Sequence, residues 1–163
     1  MINYSFRLAT ESDCDLILLF IKKIAAYEKM SDQVKATPAS LKEWIFEHKL
    51  VEVIFLLNEK KQAVGFALYF FDFSTFVGKA GIHLEDFYLD EEYRGQGLGK
   101  KLFLEVVKRA KALKAGRLEW TCLNWNKPSI NFYTKVMHAT AMDEWTTYRL
   151  REDQYQQLIE EYN

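Results

Sequence analysis

In the run DEEYRGQGLGKKLFLEVV (residues 90–107), Gly95, Gly97 and Gly99 alternate with Gln96 and Leu98 just before residues of helical spacing. Glycine is the costliest ordinary residue in a helix after proline, so three at a helix start need a purpose. Glycines allow positive φ and a close approach to a ligand. The first helical turn adds unpaired N–H groups and the positive end of the dipole. Together these make a cradle for a diphosphate. The pattern is neither G-x-x-x-x-G-K-[ST] nor G-x-G-x-x-G, so neither a nucleotide triphosphatase nor a Rossmann dinucleotide site is supported. Just upstream, Glu85 and Asp86 sit inside the apolar run IHLEDFYL (82–89), which sets them apart from a solvated acidic pair. Adjacent strand residues point to opposite faces, so only one of the two carboxylates is expected to face a reacting group.

These residues need a strand to carry the carboxylates and a helix that begins at the glycines. Residues 82–89 read as that strand. Leu98, Leu102, Val106, Ala110 and Leu113 give the helix, which Gly116 ends. Upstream, Tyr4, Phe6 and Leu8 alternate as a first strand. Thr10 with Asp13 makes a capping-box-like start for a helix lined by Leu16, Phe20, Ile24 and Tyr27 and ending near Met30. Pro38 opens a shorter helix through Glu47. VEVIFLL (51–57) and AVGFALYFF (63–71) form an antiparallel hairpin across NEKKQ, and FDFSTFVGKAG reads as an aromatic loop. RLEWTCL (117–123) is a further strand. A short helix starts near Pro128 or Ser129, residues 139–150 read as extended, and 151–162 as a polar helical tail. Strand, two helices, three strands, helix, strand, helix, strand make an α/β domain around one mixed sheet, with residues 1–163 a single domain.

Composition narrows the classes. With 163 residues, 49% apolar and 28% charged, the chain is sized for one soluble core. A net charge of -1 lacks the basic excess that duplex nucleic acid requires. No basic-then-apolar leader and no apolar run of spanning length are present, so the expectation is a cytoplasmic protein without a membrane partner. Cys14 and Cys122 are far apart and read as small buried residues, in a helix and a strand. No metal-ligand spacing occurs, and none is expected. His83 and His138 read as structural or surface residues.

R-x-x-G-x-G between a strand and a helix is the acetyl-coenzyme A signature of the GNAT acetyltransferases, and YRGQGLG matches it. FRLATESDC, AAYEKM (25–30), VGFALYFF (64–71), LEDFYLDEEYRGQGLG (84–99) and WNKPSINFY (125–133) closely resemble the spermidine/spermine acetyltransferase branch, which includes thialysine acetyltransferases. The resemblance spans nearly the whole chain. It implies a GNAT fold, acetyl-CoA as co-substrate, a small amine as acceptor, and a homodimer.

It also implies roles. An ammonium with a pKa of roughly 10 must lose a proton before it can attack a thioester. The family places a glutamate as base, acting through water, which carries over to Glu85; Asp86 is then structural or a ligand for the substrate cation. Main-chain N–H groups at Phe87, Tyr88 and Leu89 would serve the developing oxyanion. Arg94, Gly95, Gln96, Gly97, Leu98, Gly99 and Lys100 would hold the coenzyme, with Asn126 on its pantetheine arm and Ser129 and Lys135 alongside. Tyr133, in NFY, would protonate the leaving thiolate. Tyr27 and Glu28 match acceptor-side positions, where a carboxylate beside a ring suits an alkylammonium. Trp145 would line the same cavity or a subunit contact. Where the family has a glycine after the NFY helix this chain has Met137, and Lys135 is followed by Val136, leaving Arg94, Lys100 and Lys101 for the terminal phosphate. No cysteine is placed for an acetyl-enzyme, so direct transfer is expected. A polyamine or diamine comes first as acceptor, a thialysine or other lysine-like amino acid second. The aromatic loop 70–76 argues for an enclosed acceptor site over a peptide groove, and the Glu85, Asn126, Tyr133 set argues against a non-catalytic coenzyme sensor.

Overall fold

The computed structural model describes residues 3–162, which fall into two compact units, Met1–Leu123 and Asn124–Asn163. The first unit is built on a five-stranded sheet in the order β1 (Ser5–Leu8), β2 (Val51–Leu57), β3 (Ala63–Ser74), β4 (Lys79–Leu89), β5 (Leu118–Trp120). Neighbours are antiparallel except β4 and β5, which run parallel and pair only from Ile82–Leu118 to Leu84–Trp120.

Helices cover the sheet where the apolar spacing demands. In α1 (Cys14–Tyr27), Ile17 and Phe20 are fully buried. Phe20 stacks on Phe66 with ring centroids 5.1 Å apart and meets Tyr88 edge-on at 6.2 Å. With Val53, Phe55, Leu57 and Leu68 these residues form a core against one sheet face, joined by Ile45. Ile45 lies in a wide π turn, Lys42–Glu47, that continues α2 (Pro38–Leu41); Thr37 caps α2 by accepting the Ser40 N–H at 3.1 Å. The expected start of α1 is present as a single turn, in which the Asp13 carboxylate accepts the Thr10 N–H at 2.7 Å and two bonds from Arg7 at 2.7 Å. In α3 (Leu98–Ala112), Leu98, Leu102 and Val106 are buried at successive turns. Phe103 of α3 meets Phe87 and Trp120 edge-on at 5.7 and 5.1 Å. Gly65 is the close-approach position: a Cβ there would lie 2.9 Å from the Tyr88 carbonyl.

Three sequence expectations change. Residues 71–81 are not an aromatic loop: β3 and β4 pair from Phe71–Ile82 to Ser74–Lys79, because Phe71, Asp72 and Phe73 keep strand alternation up to a turn closed by Gly78 at φ +66°. β5 is three residues long, and Cys122 lies beyond its end. In the second unit, α4 (Lys127–Asn131) runs on as a π turn over Phe132–Val136 and α5 spans Tyr155–Tyr162, as expected. Residues 139–150 between them hold no strand, since a strand needs a ladder partner and this segment belongs to no sheet among the described residues.

Candidate active site

A register slip in β4 shapes the site. Leu68 opposes Asp86 while the next residue, Tyr69, opposes Leu84, so Glu85 is an extra, unpaired residue: a β-bulge. Strict alternation is suspended there, and Glu85 and Asp86 are not simply on opposite faces. Directly opposed residues share a face, which puts His83 (opposite Phe70), Asp86 (opposite Leu68) and Tyr88 (opposite Phe66) on the face covered by α1. Phe87 and Leu89, opposite Ala67 and Gly65, point to the α3 face. Glu85 is exposed, with Oε2 3.7 Å from His83 Nε2, and the His83 ring stacks on Phe70 at 4.9 Å. His83, read from the sequence as structural or superficial, is a half-buried neighbour of Glu85 on β4.

Glu28 caps the C-terminal end of α1, on the same face. Burial, and then the field of Glu85, raises its carboxyl above the usual range. Asp86 is pushed up to about 7 by burial first, then by Glu85 and Glu28. Cys122, half-buried past β5, has its thiol raised by burial and by Glu28. Three carboxylates from two elements therefore converge where the β4–β5 ladder ends.

The glycine turn follows directly. Asp90 receives Lys23 of α1 at 2.6 Å, and Gln96 Nε2 donates to the Glu92 carbonyl at 2.8 Å. Gly95 and Gly97 have φ of +73° and +77°, and nothing lies within 4 Å of where their Cβ atoms would be. Gly99 instead belongs to the first turn of α3, its Cβ position 3.9 Å from Leu89. Gly97 is the N-cap of α3 and supplies no side-chain cap, so the donors of the first turn face outward without one. Arg94 ties turn to strand: Nε donates to the Leu89 carbonyl at 2.9 Å, and the guanidinium lies 5.3 Å from the Tyr27 ring and 5.4 Å from the Tyr88 ring. Lys100 is exposed, and Lys101 Nζ sits 4.1 Å over the Tyr4 ring.

The remaining predicted residues belong to the second unit. Asn126 is buried and caps α4, its Oδ1 accepting the Ser129 N–H at 3.4 Å. Tyr133 packs edge-on against Phe132 at 5.5 Å, and its carbonyl accepts the Ala139 N–H at 2.9 Å. The left-handed residue expected after this helix is His138, at φ +57°, one position beyond Met137. Lys135 is exposed in the π turn, and Trp145 is 71% exposed in the irregular segment. Among the described residues, no group of three or more His, Cys, Asp or Glu is arranged to hold a metal ion, and no helix is long and apolar enough to cross a membrane.

The profile of the acetyltransferase (GNAT) family matches residues 20–139. The chain belongs to the GNAT acetyltransferase family. A bovine thialysine N-epsilon-acetyltransferase is 36% identical over 93% of this chain and 95% of its own. A human spermidine/spermine N(1)-acetyltransferase-like protein is 29% identical over 93% of this chain, within 23% of its own. These place the acetyltransferase in the spermidine/spermine acetyltransferase-like branch. Among solved structures, an integron cassette protein from the V. cholerae mobile metagenome shares the fold with a TM-score of 0.77, at 24% identity over 98% of this chain and 99% of its own.

GNAT enzymes use acetyl-CoA, and the turn fits its diphosphate: two left-handed glycines with open space beside them precede an uncapped fifteen-residue helix. The sequence did carry a signal for the bulge. Apolar residues fall at 82 and 84 and then at 87 and 89, a slip of one in the two-residue period across Glu85–Asp86. For the approach of Cys122 to Glu28 there was no local signal.

Proposed function

We infer that the protein transfers an acetyl group from acetyl-CoA to a primary amine of a small diamine or polyamine, by direct attack. The observation that carries this reading is the convergence of Glu28, Glu85 and Asp86 next to Tyr27 and the glycine turn, a concentration of negative charge suited to an alkylammonium. The coenzyme supplies an electrophilic thioester carbon. Backbone N–H groups at the start of α3 would hold its diphosphate, with Arg94 and Lys100 as nearby cations. Glu28 and Tyr27 would orient the acceptor. A carboxylate on β4 would take the ammonium proton; the family resemblance assigns this to Glu85, with Asp86 as a cation ligand. N–H groups of Phe87, Tyr88 and Leu89 would stabilise the oxyanion, at the end of β4 beyond its ladder with β5. Tyr133 Oη would give a proton to the leaving sulfur, and Asn126, Ser129 and Lys135 would contact the coenzyme arm.

A lysine-like amino acid is the second reading, supported by the relatives at 36% identity named thialysine N-epsilon-acetyltransferase. Such an acceptor brings its own carboxylate towards three others, which disfavours it at the acidic cluster. Steady-state rates with spermidine, putrescine, thialysine and lysine decide between them: the first reading expects a higher kcat/KM for a diamine or polyamine, and no turnover on any of these would end it. We take residues 1–163 to work as one domain, a view supported by a family match that crosses the boundary between the two units. The family resemblance leads us to a homodimer, with Trp145 at the acceptor cavity or the subunit contact, and we place it in the cytoplasm on the sequence reading alone.

A further inference from the structure

We propose that Lys23 and Asp90 are positioning residues for the transfer: their ion pair, with the Arg94–Tyr27 contact beside it, fixes the acceptor end of α1 against the coenzyme turn. This rests on the acetyl-transfer reading above. Tyr27 is the last residue of α1 and Glu28 its C-cap, and Lys29 leaves the helix at φ +61°. Both acceptor-side residues therefore stand at a helix end, where local opening is easiest. Two contacts hold that end, in matching register. Lys23 Nζ donates to Asp90 Oδ1 at 2.6 Å, joining residues 67 positions apart in the chain. About one helical turn further along α1, the Tyr27 ring receives the Arg94 guanidinium at 5.3 Å. Asp90 and Arg94 flank the tight turn Glu91–Tyr93 that leads into Gly95. A single contact would let α1 pivot about it; two, spaced alike on helix and turn, fix its angle as well as its distance.

The turn side of each contact is itself anchored. The Asp90 N–H donates to the Val64 carbonyl at 2.9 Å, and the Asp90 carbonyl accepts the Tyr93 N–H at 3.0 Å. Arg94 Nε donates to the Leu89 carbonyl at 2.9 Å. The ion pair thus joins α1 to the main chain of β3 and of the turn. Its side chains are 33% and 20% exposed, so solvent screens it less than an open surface pair. Lys23 Nζ also lies 4.8 Å from the centroid of the Phe20 ring, which stacks in the core beneath it. The two charges neutralise each other, so the pair acts by placing Tyr27 and Glu28 and not by adding to the field on the acceptor. A misplacement of about 1 Å remote from the reacting atoms can cost about 100-fold in rate. Loss of the pair is therefore read in turnover more than in the binding of either ligand.

The test is a double-mutant cycle of Lys23→Met and Asp90→Asn, with Lys23→Arg as the conservative variant and spermidine and thialysine as acceptors. Lys23→Met keeps the apolar stem beside Phe20 and removes the charge. Each single variant should lower kcat about tenfold or more, a larger change than any rise in acceptor KM, with CoA affinity by calorimetry within about threefold. The double variant should be no slower than the slower single one, within about twofold, because the two side chains act as one unit. Lys23→Arg, which keeps the pair, should stay within about threefold of the unaltered protein. Where a single variant fails to fold by circular dichroism, the double variant, which leaves no unpaired charge, carries the test and must show the same fall in kcat. Unchanged kcat in the folded double variant, or losses that multiply between the two sites, overturns the assignment and leaves acetyl transfer standing. So does a tenfold loss of CoA affinity in Lys23→Met at unchanged kcat, which would make Lys23 a phosphate ligand. If the unaltered protein acetylates neither acceptor, the functional reading falls and this assignment with it.

Discussion

Asp86 links the chemistry of the site to its stability. Its carboxyl, ordinarily near 3.8, is held up to about 7 by burial and by two neighbouring carboxylates. Between those values the folded chain binds a proton that the unfolded chain does not, so stability falls as pH rises through this window and levels off above it. Asp86→Asn removes the dependence. Chemical denaturation should find that variant more stable than the unaltered protein at pH 8, by roughly 2–4 kcal/mol, and nearly equal to it at pH 4; a uniform loss at both pH values would contradict the account. Asp13 behaves oppositely. Arg7 and the Thr10 N–H hold its carboxyl down to about 2, so its contribution is present above the ordinary carboxylate range and disappears as pH falls through 2.

Much of this was legible at the level of elements. The positive φ at Gly95 and Gly97, the apolar stripe of α3, the capping of α2 behind Pro38 and the β2–β3 hairpin all follow from local rules that residue types announce. What escaped was non-local or a matter of phase. Asp72 reads as a turn residue, yet it sits over Gly81 across the hairpin, and Arg117 reaches its carboxylate at 3.5 Å. The bulge was written in the slip between 82, 84 and 87, 89, but an adjacent acidic pair reads first as alternation. Residues 139–150 have strand-like composition, and composition does not supply a partner. The helix after Asn126 ends on His138 in the left-handed region, a position where a non-glycine residue is strained. Replacing His138 by Gly should therefore raise stability by about 0.5–1 kcal/mol, read as a shift in denaturant midpoint with an unchanged slope; a loss of stability would mean that the imidazole contributes more than the backbone strain costs.

For the whole molecule, the near-neutral charge balance means that attraction for a cationic acceptor comes from a local cluster and not from a global field. The first unit holds that cluster and the glycine turn, and Asn126 and Tyr133 belong to the second. The acid role proposed for Tyr133 predicts a specific split for Tyr133→Phe: kcat should fall about 100-fold while acetyl-CoA affinity changes by no more than a few-fold. Unchanged turnover would remove Tyr133 from the proton path.

The claim on which the rest depends is that the turn at Gly95 and Gly97 seats the coenzyme. Isothermal titration of acetyl-CoA into the unaltered protein and into Gly97→Ala, with folding of both verified by circular dichroism, measures it directly. The account predicts saturable binding by the unaltered protein and at least a tenfold weaker affinity in the variant, about 1.4 kcal/mol. Absence of binding by the unaltered protein, or equal affinity in a folded variant, would contradict it.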